Sequence, residues 1–226
     1  MERIAGGITD ILLQEIKLNA FQRVSGKSEN TLVEIIARLI NITMYHLPVD
    51  YEVEVTKAER QSKASKSCKV QQKTGSRGDK PDLMFRAYLR QKWEEIIFFE
   101  SGKWNTDEDK ICHDHNKLVQ FCLDGTKELV KKCMKETFYR NYIGFGVNIA
   151  GKYLEIHGLI MEKEIKYYLP VVKAKIPLGK ESVEEIEEFV HALLVLRVSI
   201  FLISKYILSY IMILIQKFLI SEWGYR

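Results

Sequence analysis

The sequence predicts an α/β (α+β) chain in which a mixed sheet is flanked by helices and followed by a hydrophobic C-terminal helix. Runs with strand alternation or β-branched and aromatic enrichment recur at 51–56, 83–89, 94–100, 142–150, 153–161 and 165–174. Apolar residues at helical spacing occupy the stretches before, between and after them. The 226 residues, 46% hydrophobic and 28% charged, suffice for one ordinary domain with a real core plus an appendage. The organisation expected is an N-terminal helical segment over 1–27, a main domain over 28–196 and a hydrophobic helix over 197–220.

Ile8, Ile11, Leu12, Leu13, Ile16 and Phe21 form a stripe ended by Ser25-Gly26, which reads as a helix docked on the main domain. Ser28 caps a stronger helix whose face is Leu32, Ile35, Ile36, Leu39, Ile40 and Ile42, with Pro48 beyond its end. Tyr51, Val53 and Val55 alternate with Glu52 and Glu54 as a first strand. From 57 to 80, eight basic residues (Lys57, Arg60, Lys63, Lys66, Lys69, Lys73, Arg77 and Lys80) stand against two acidic ones, Glu59 and Asp79. With interleaved Ser and Gln and no apolar face, such a segment cannot offset its ordering entropy, so a mobile basic arm is expected. Lys63, Lys66, Lys69, Lys73, Arg77 and Lys80 would suit a nucleic-acid backbone, with a solvated loop as the alternative.

The runs at 83–89 and 94–100, parted by Arg90-Gln91-Lys92, read as a hairpin. If Asp82 pairs with Glu100, the loop centres on Gln91 and both carboxylates project from one sheet face, because side chains alternate with period two. Like charges that close are destabilising unless a cation lies between them, which points to Mg²⁺ or Mn²⁺ on oxygen ligands. Lys103 is the nearest basic group to steady a water or a phosphate. Counting by twos from Glu100 reaches Gly102, so Lys103 joins the pair only through a bulge, and glycine tolerates the backbone a bulge needs.

Downstream, 106–136 reads as one long helix, acidic at its start (Asp107, Glu108, Asp109) and basic at its end (Lys131, Lys132, Lys135), with a bend at Gly125. Lys117 and Lys127 on it are candidates to face a phosphate. Cys112-His113-Asp114-His115 reads as a polar helix start, because only Cys112 and His115 share a face. Gly151-Lys152 turns one strand into the next, and His157, with no second ligand near it in sequence, reads as a half-buried strand histidine. Ser182-Val183-Glu184-Glu185 is a capping box that opens the last helical run.

Gly78-x-Lys80-x-Asp82 before a strand, and Glu100-x-Gly102-Lys103 at a strand end, resemble the motifs of fungal proteins with a PD-(D/E)XK nuclease-like core. The same family includes expanded groups in root-associated fungi and the nuclease-like domains of Crinkler-type proteins. The resemblance covers about Ser28 to Arg197, and its specific part is Lys63 to Lys103. It implies a restriction-endonuclease-like fold with Asp82 and Glu100 at the acidic positions, Lys103 near the lysine position, and Glu34 on the preceding helix as a further metal ligand. The chain departs from the family in spacing its last two residues Glu100-Ser101-Gly102-Lys103, where the family has Glu-x-Lys.

Four cysteines show neither a CxxC pair nor a framework spacing, and no charged-then-apolar leader opens the chain. Free thiols, an intracellular setting and no disulfide-linked partner are expected. A net charge of +4 is too small to argue for nucleic acid by itself; the distribution says more. The nineteen positions 198–216 carry one full charge, Lys205, and roughly match the ~20 residues that cross a bilayer. Membrane association through 198–216 is expected, the competing reading being a packed helix with Arg197, Lys205, Tyr206 and Gln216 on one polar strip. The function expected is metal-dependent hydrolysis of DNA or RNA phosphodiesters. The alternative, motivated by the displaced lysine, is a nuclease-derived module that binds without cutting.

Overall fold

A computed structural model describes residues 1–25, 29–47, 52–57, 60–89, 92–104, 107–132, 142–162, 165–179 and 181–202. The expected loop centre Gln91, Cys133 and the apolar run from 203 onward lie outside the described residues.

Six strands form one mixed sheet in chain order: β1 (Val53–Lys57), β2 (Leu83–Leu89), β3 (Lys92–Ser101), β4 (Tyr142–Ala150), β5 (Tyr153–Glu162) and β6 (Ile165–Lys175). Every neighbouring pair is antiparallel except β3 with β4. A parallel pair needs a crossover connection, which helix α5 (Glu108–Lys132) supplies. The mixed sheet and flanking helices agree with the fold class read from the sequence.

One face of the sheet is covered by α1 (Glu2–Lys17), α2 (Ala20–Ser25), α3 (Glu29–Met44) and the helix over 183–202, here α6. The α3 stripe Leu32, Ile35, Ile36, Leu39 and Ile40 is fully buried in a core with Phe85, Ile97, Phe99, Val147, Phe189 and Leu193. Each such side chain contributes about 1.5–3 kcal/mol relative to exposure. Asn19, with φ of 54°, breaks the expected single N-terminal helix into α1 and α2, since asparagine accepts the left-handed region at little cost. α6 continues through the expected boundary at 196–197. Arg197, expected at a membrane flank, is buried and donates to the carbonyls of Thr43, Tyr45 and His46 at the end of α3. Among the described residues no helix is long and apolar enough to cross a membrane.

The opposite face carries α5, whose Leu118, Phe121 and Cys122 pack on Met84, Phe98 and Leu159. α5 runs unbroken through Gly125, which lets the Phe98 ring approach to 3.0 Å from where a Cβ would stand.

The basic segment expected to be a mobile arm forms a helix instead, α4 (Lys63–Gln72). Its packing face consists of the small residues Ala64, Ser65 and Cys68, too short to register as an apolar stripe. Its N-terminus is held by two side chains: Ser62 Oγ accepts from Ser65 N–H, and Glu95 accepts from Ser62 Oγ–H at 2.7 Å and from the N–H groups of Lys63 and Ala64 at 2.7 and 3.2 Å. Its C-cap, Lys73, takes the left-handed conformation, and Ser67 ties the helix to Glu128 of α5 at 2.8 Å. Lys63, Lys66, Lys73, Arg77 and Lys80 project to solvent, while Lys69 pairs with Asp79 at 2.6 Å.

Candidate active site

The β2–β3 register pairs Leu83 with Phe99, so Asp82 stands opposite Glu100 as the alternation requires. Asp82 N–H donates to Phe99 O at 3.0 Å, and Asp82 Oδ2 accepts from Ser101 N–H at 2.7 Å. Phe99, Ile97 and Phe85 face the α3 core, whereas Phe98 and Met84 face α5. By parity Asp82 and Glu100 therefore also face α5.

A bulge does lie on β3, but at Ile96 rather than Gly102: Phe85 pairs with Ile97 and Arg86 with Glu95, leaving Ile96 over. Ile96 and Ile97 consequently both enter the α3 core, and Glu95 is turned toward the α4 N-terminus. Without the bulge Glu95 would point into apolar packing.

Lys103 is exposed and follows the strand, and a lysine of α5 meets the acidic pair. Lys117 Nζ lies 2.6 Å from Glu100 Oε2. One turn toward the helix start, Asp114 is buried and paired with Lys110 at 2.6 Å. Lys127, ten residues beyond Lys117 and so about 15 Å farther along the axis, sits by Asp124 instead. Glu34 is exposed on α3, against the opposite face of the sheet, so it is not brought to the pair.

Glu100 is 1% exposed, and its Oε1 has no hydrogen-bond partner among the described residues. Burial pushes its carboxyl up to about 7, with the nearby Asp82 and Asp114 charges adding and the Lys117 hydrogen bond opposing. Burial likewise raises Asp82, against the lowering contributed by Ser101 N–H and Lys117. Burial thus makes the pair costly to ionise even with Lys117 present.

The site lies at the carboxyl ends of the parallel strands β3 and β4, beneath the first turns of α5, the end of a parallel pair at which open α/β sheets bind ligands. A cleft of about 260 Å³ lined by Asp79, His113, Asn116, Lys117, Gln120 and Phe121 opens beside it. Across the same face, β4 and β5 extend the row with Asn148 opposite Glu155, whose carboxylate pairs with Lys173 at 2.6 Å. Neither a family model nor a curated protein nor a solved structure matches this chain.

The donor set suits a hard divalent ion in part. Among the described residues no three His, Cys, Asp or Glu side chains are gathered as a metal-binding group. Mg²⁺, however, is commonly held by one or two carboxylates with waters and phosphate oxygens completing its shell. His157, read as a solitary strand histidine, has His115 of α5 at 4.9 Å and Tyr168 stacked at 5.1 Å between ring centroids. Burial lowers its pKa, so it remains neutral at physiological pH. Cys68, Cys112 and Cys122 form no disulfide.

Lys117 was expected to face a phosphate; what the sequence reading missed is that it pairs with Glu100, and that Asp114 of α5 and Asn148 of β4 stand beside it. Asp114 and Lys117 lie three residues apart, on one helical face, and that spacing is the signal that could have paired them.

Proposed function

We propose that Asp82, Glu100 and Lys117 form the centre of a divalent-cation-dependent phosphodiesterase acting on DNA or RNA, within a restriction-endonuclease-like fold. The observation that carries this reading is the cross-strand carboxylate pair on one face, Glu100 buried and Asp82 half-buried, both raised in pKa, with a lysine 2.6 Å from Glu100. A Mg²⁺ or Mn²⁺ ion on Asp82 and Glu100 would supply polarisation of the phosphoryl oxygen and an activated water. Lys117 then turns from Glu100 to the scissile phosphate, and its side chain, 35% exposed, has room to do so. Lys63, Lys66, Lys73, Arg77 and Lys80 on and after α4 present solvent-facing charge for the flanking backbone.

A second reading, a nuclease-derived module that binds without cutting, is favoured by one observation: Lys117 already pairs with Glu100, and among the described residues no three His, Cys, Asp or Glu side chains are gathered as a metal-binding group. Incubating the 226-residue chain with single- and double-stranded DNA and RNA in Mg²⁺ and in Mn²⁺ separates the two. Cleavage is expected, lost in Asp82→Asn and Lys117→Met and retained in Lys103→Met. Salt-sensitive binding with no cleavage of any substrate selects the second reading, and cleavage that survives Asp82→Asn refutes the first.

A further inference from the structure

Beside the acidic pair stands a polar side chain whose hydrogen-bonding capacity is unused. Asn148 is 1% exposed, and neither its Oδ1 nor its Nδ2 has a hydrogen-bond partner among the described residues. Burying an amide without partners is costly, so its retention calls for an explanation.

Its position is fixed by the sheet. Asn148 is the parallel partner of Glu100 across β3 and β4. Phe145, Val147 and Ile149 occupy the α3 core, which leaves Asn148 and Gly146 on the α5 face with Glu100. Gly146 confirms the direction, since a Cβ there would stand 3.2 Å from the Leu118 Cβ of α5. Neighbouring strands are about 4.8 Å apart, so Asn148 and Glu100 stand side by side. The Oε1 of Glu100 is itself without a partner, and on the other flank Glu155 is engaged by Lys173. One unpartnered carboxyl oxygen of Glu100, whose other oxygen is held by Lys117, thus lies next to a neutral amide.

We infer that Asn148 Oδ1 is the third protein ligand of the cation held by Asp82 and Glu100. This rests on the phosphodiesterase reading of the same pair and adds a neutral donor to it. Hard divalent cations accept asparagine carbonyl oxygens alongside carboxylates. A neutral third ligand also fits a centre where Asp114 and the two acids already crowd negative charge, because another carboxylate would add like-charge repulsion. Asn148 Nδ2 remains a donor for a water or phosphate oxygen on that ion.

Calorimetric titration of Mn²⁺ into the 226-residue chain, with thermal unfolding in its presence and absence, tests this without any turnover assay. Asn148→Leu is expected to bind Mn²⁺ at least about tenfold more weakly while the metal-free melting temperature holds or rises, since a costly buried amide has been removed. Asn148→Asp, which keeps the shape, is expected to bind at least about tenfold more tightly and to melt earlier without metal. Wild-type affinity in both variants overturns the inference while leaving the carboxylate pair standing, as loss of binding in Glu100→Gln would show. If the wild-type chain takes up no Mn²⁺, the inference and the reading beneath it both fall.

Discussion

Glu100→Gln is expected to make the metal-free protein more stable at alkaline pH and to have far less effect in mild acid. The buried carboxyl is raised from 4.5 to about 7, and each unit corresponds to about 1.36 kcal/mol. Because the folded pKa lies above the unfolded one, the folded state holds a proton that the unfolded chain has released. The resulting stability, about 3 kcal/mol, is fully present below about pH 4.5 and is lost as pH rises through about 7. Glutamine imitates the protonated form and does not titrate. Lys117 loses its partner in the variant but turns into water, its side chain being 35% exposed.

Urea unfolding of both proteins at about pH 5 and about pH 8 isolates the effect, since other titrating groups cancel in the comparison. The advantage of the variant should grow by ~2–3 kcal/mol between the two conditions. Saturating Mg²⁺ should narrow the gap at the higher pH, because the ion stabilises only the folded wild-type site. A variant-minus-wild-type difference that is the same at both pH values would refute the argument, showing that Glu100 is ionised in the folded protein across the whole range.

Two further outcomes concern the scaffold. Glu95→Ala removes the acceptor for Ser62 Oγ–H and the N–H groups of Lys63 and Ala64, and should cost about 2–4 kcal/mol in urea unfolding, with early amide exchange in α4; unchanged protection of those amides would count against the capping role. Gly78→Ala would place a Cβ 2.3 Å from Ser62 O and 2.9 Å from Lys66 N, both backbone atoms, so a loss of at least ~2 kcal/mol is expected, and an unaltered melting temperature would contradict it.

Gly78 shows how a motif can be legible before its reason is. The spacing Gly78-x-Lys80-x-Asp82 marks a site in the sequence, yet the glycine serves the close passage of the loop against the first turn of α4, itself hidden in a basic stretch. That helix exists because a carboxylate from another strand satisfies its N-terminal N–H groups. Glu95 reaches it only through a bulge one residue long. The sequence placed the bulge at Gly102 on the glycine's tolerance of unusual backbone. The observed one follows instead from fitting Ile96 and Ile97 into the same core.

By itself the sequence determined the strands, the helical stripes and the opposition of Asp82 to Glu100, all consequences of period-two and 3.6-residue patterning within or between adjacent segments. The tertiary structure decided which residues complete the site. Lys117 and Asp114 meet the pair because α5 crosses from β3 to β4 with that face turned down, and the rotation of a helix on a sheet is set by packing such as Gly125 against Phe98. Asn148 stands beside Glu100 through a parallel register formed across a long crossover, which no local spacing encodes. Glu34, suggested by the motif, is kept apart from the pair by the thickness of the sheet. Local periodicity fixes which way a side chain points; only the packed fold fixes what it points at.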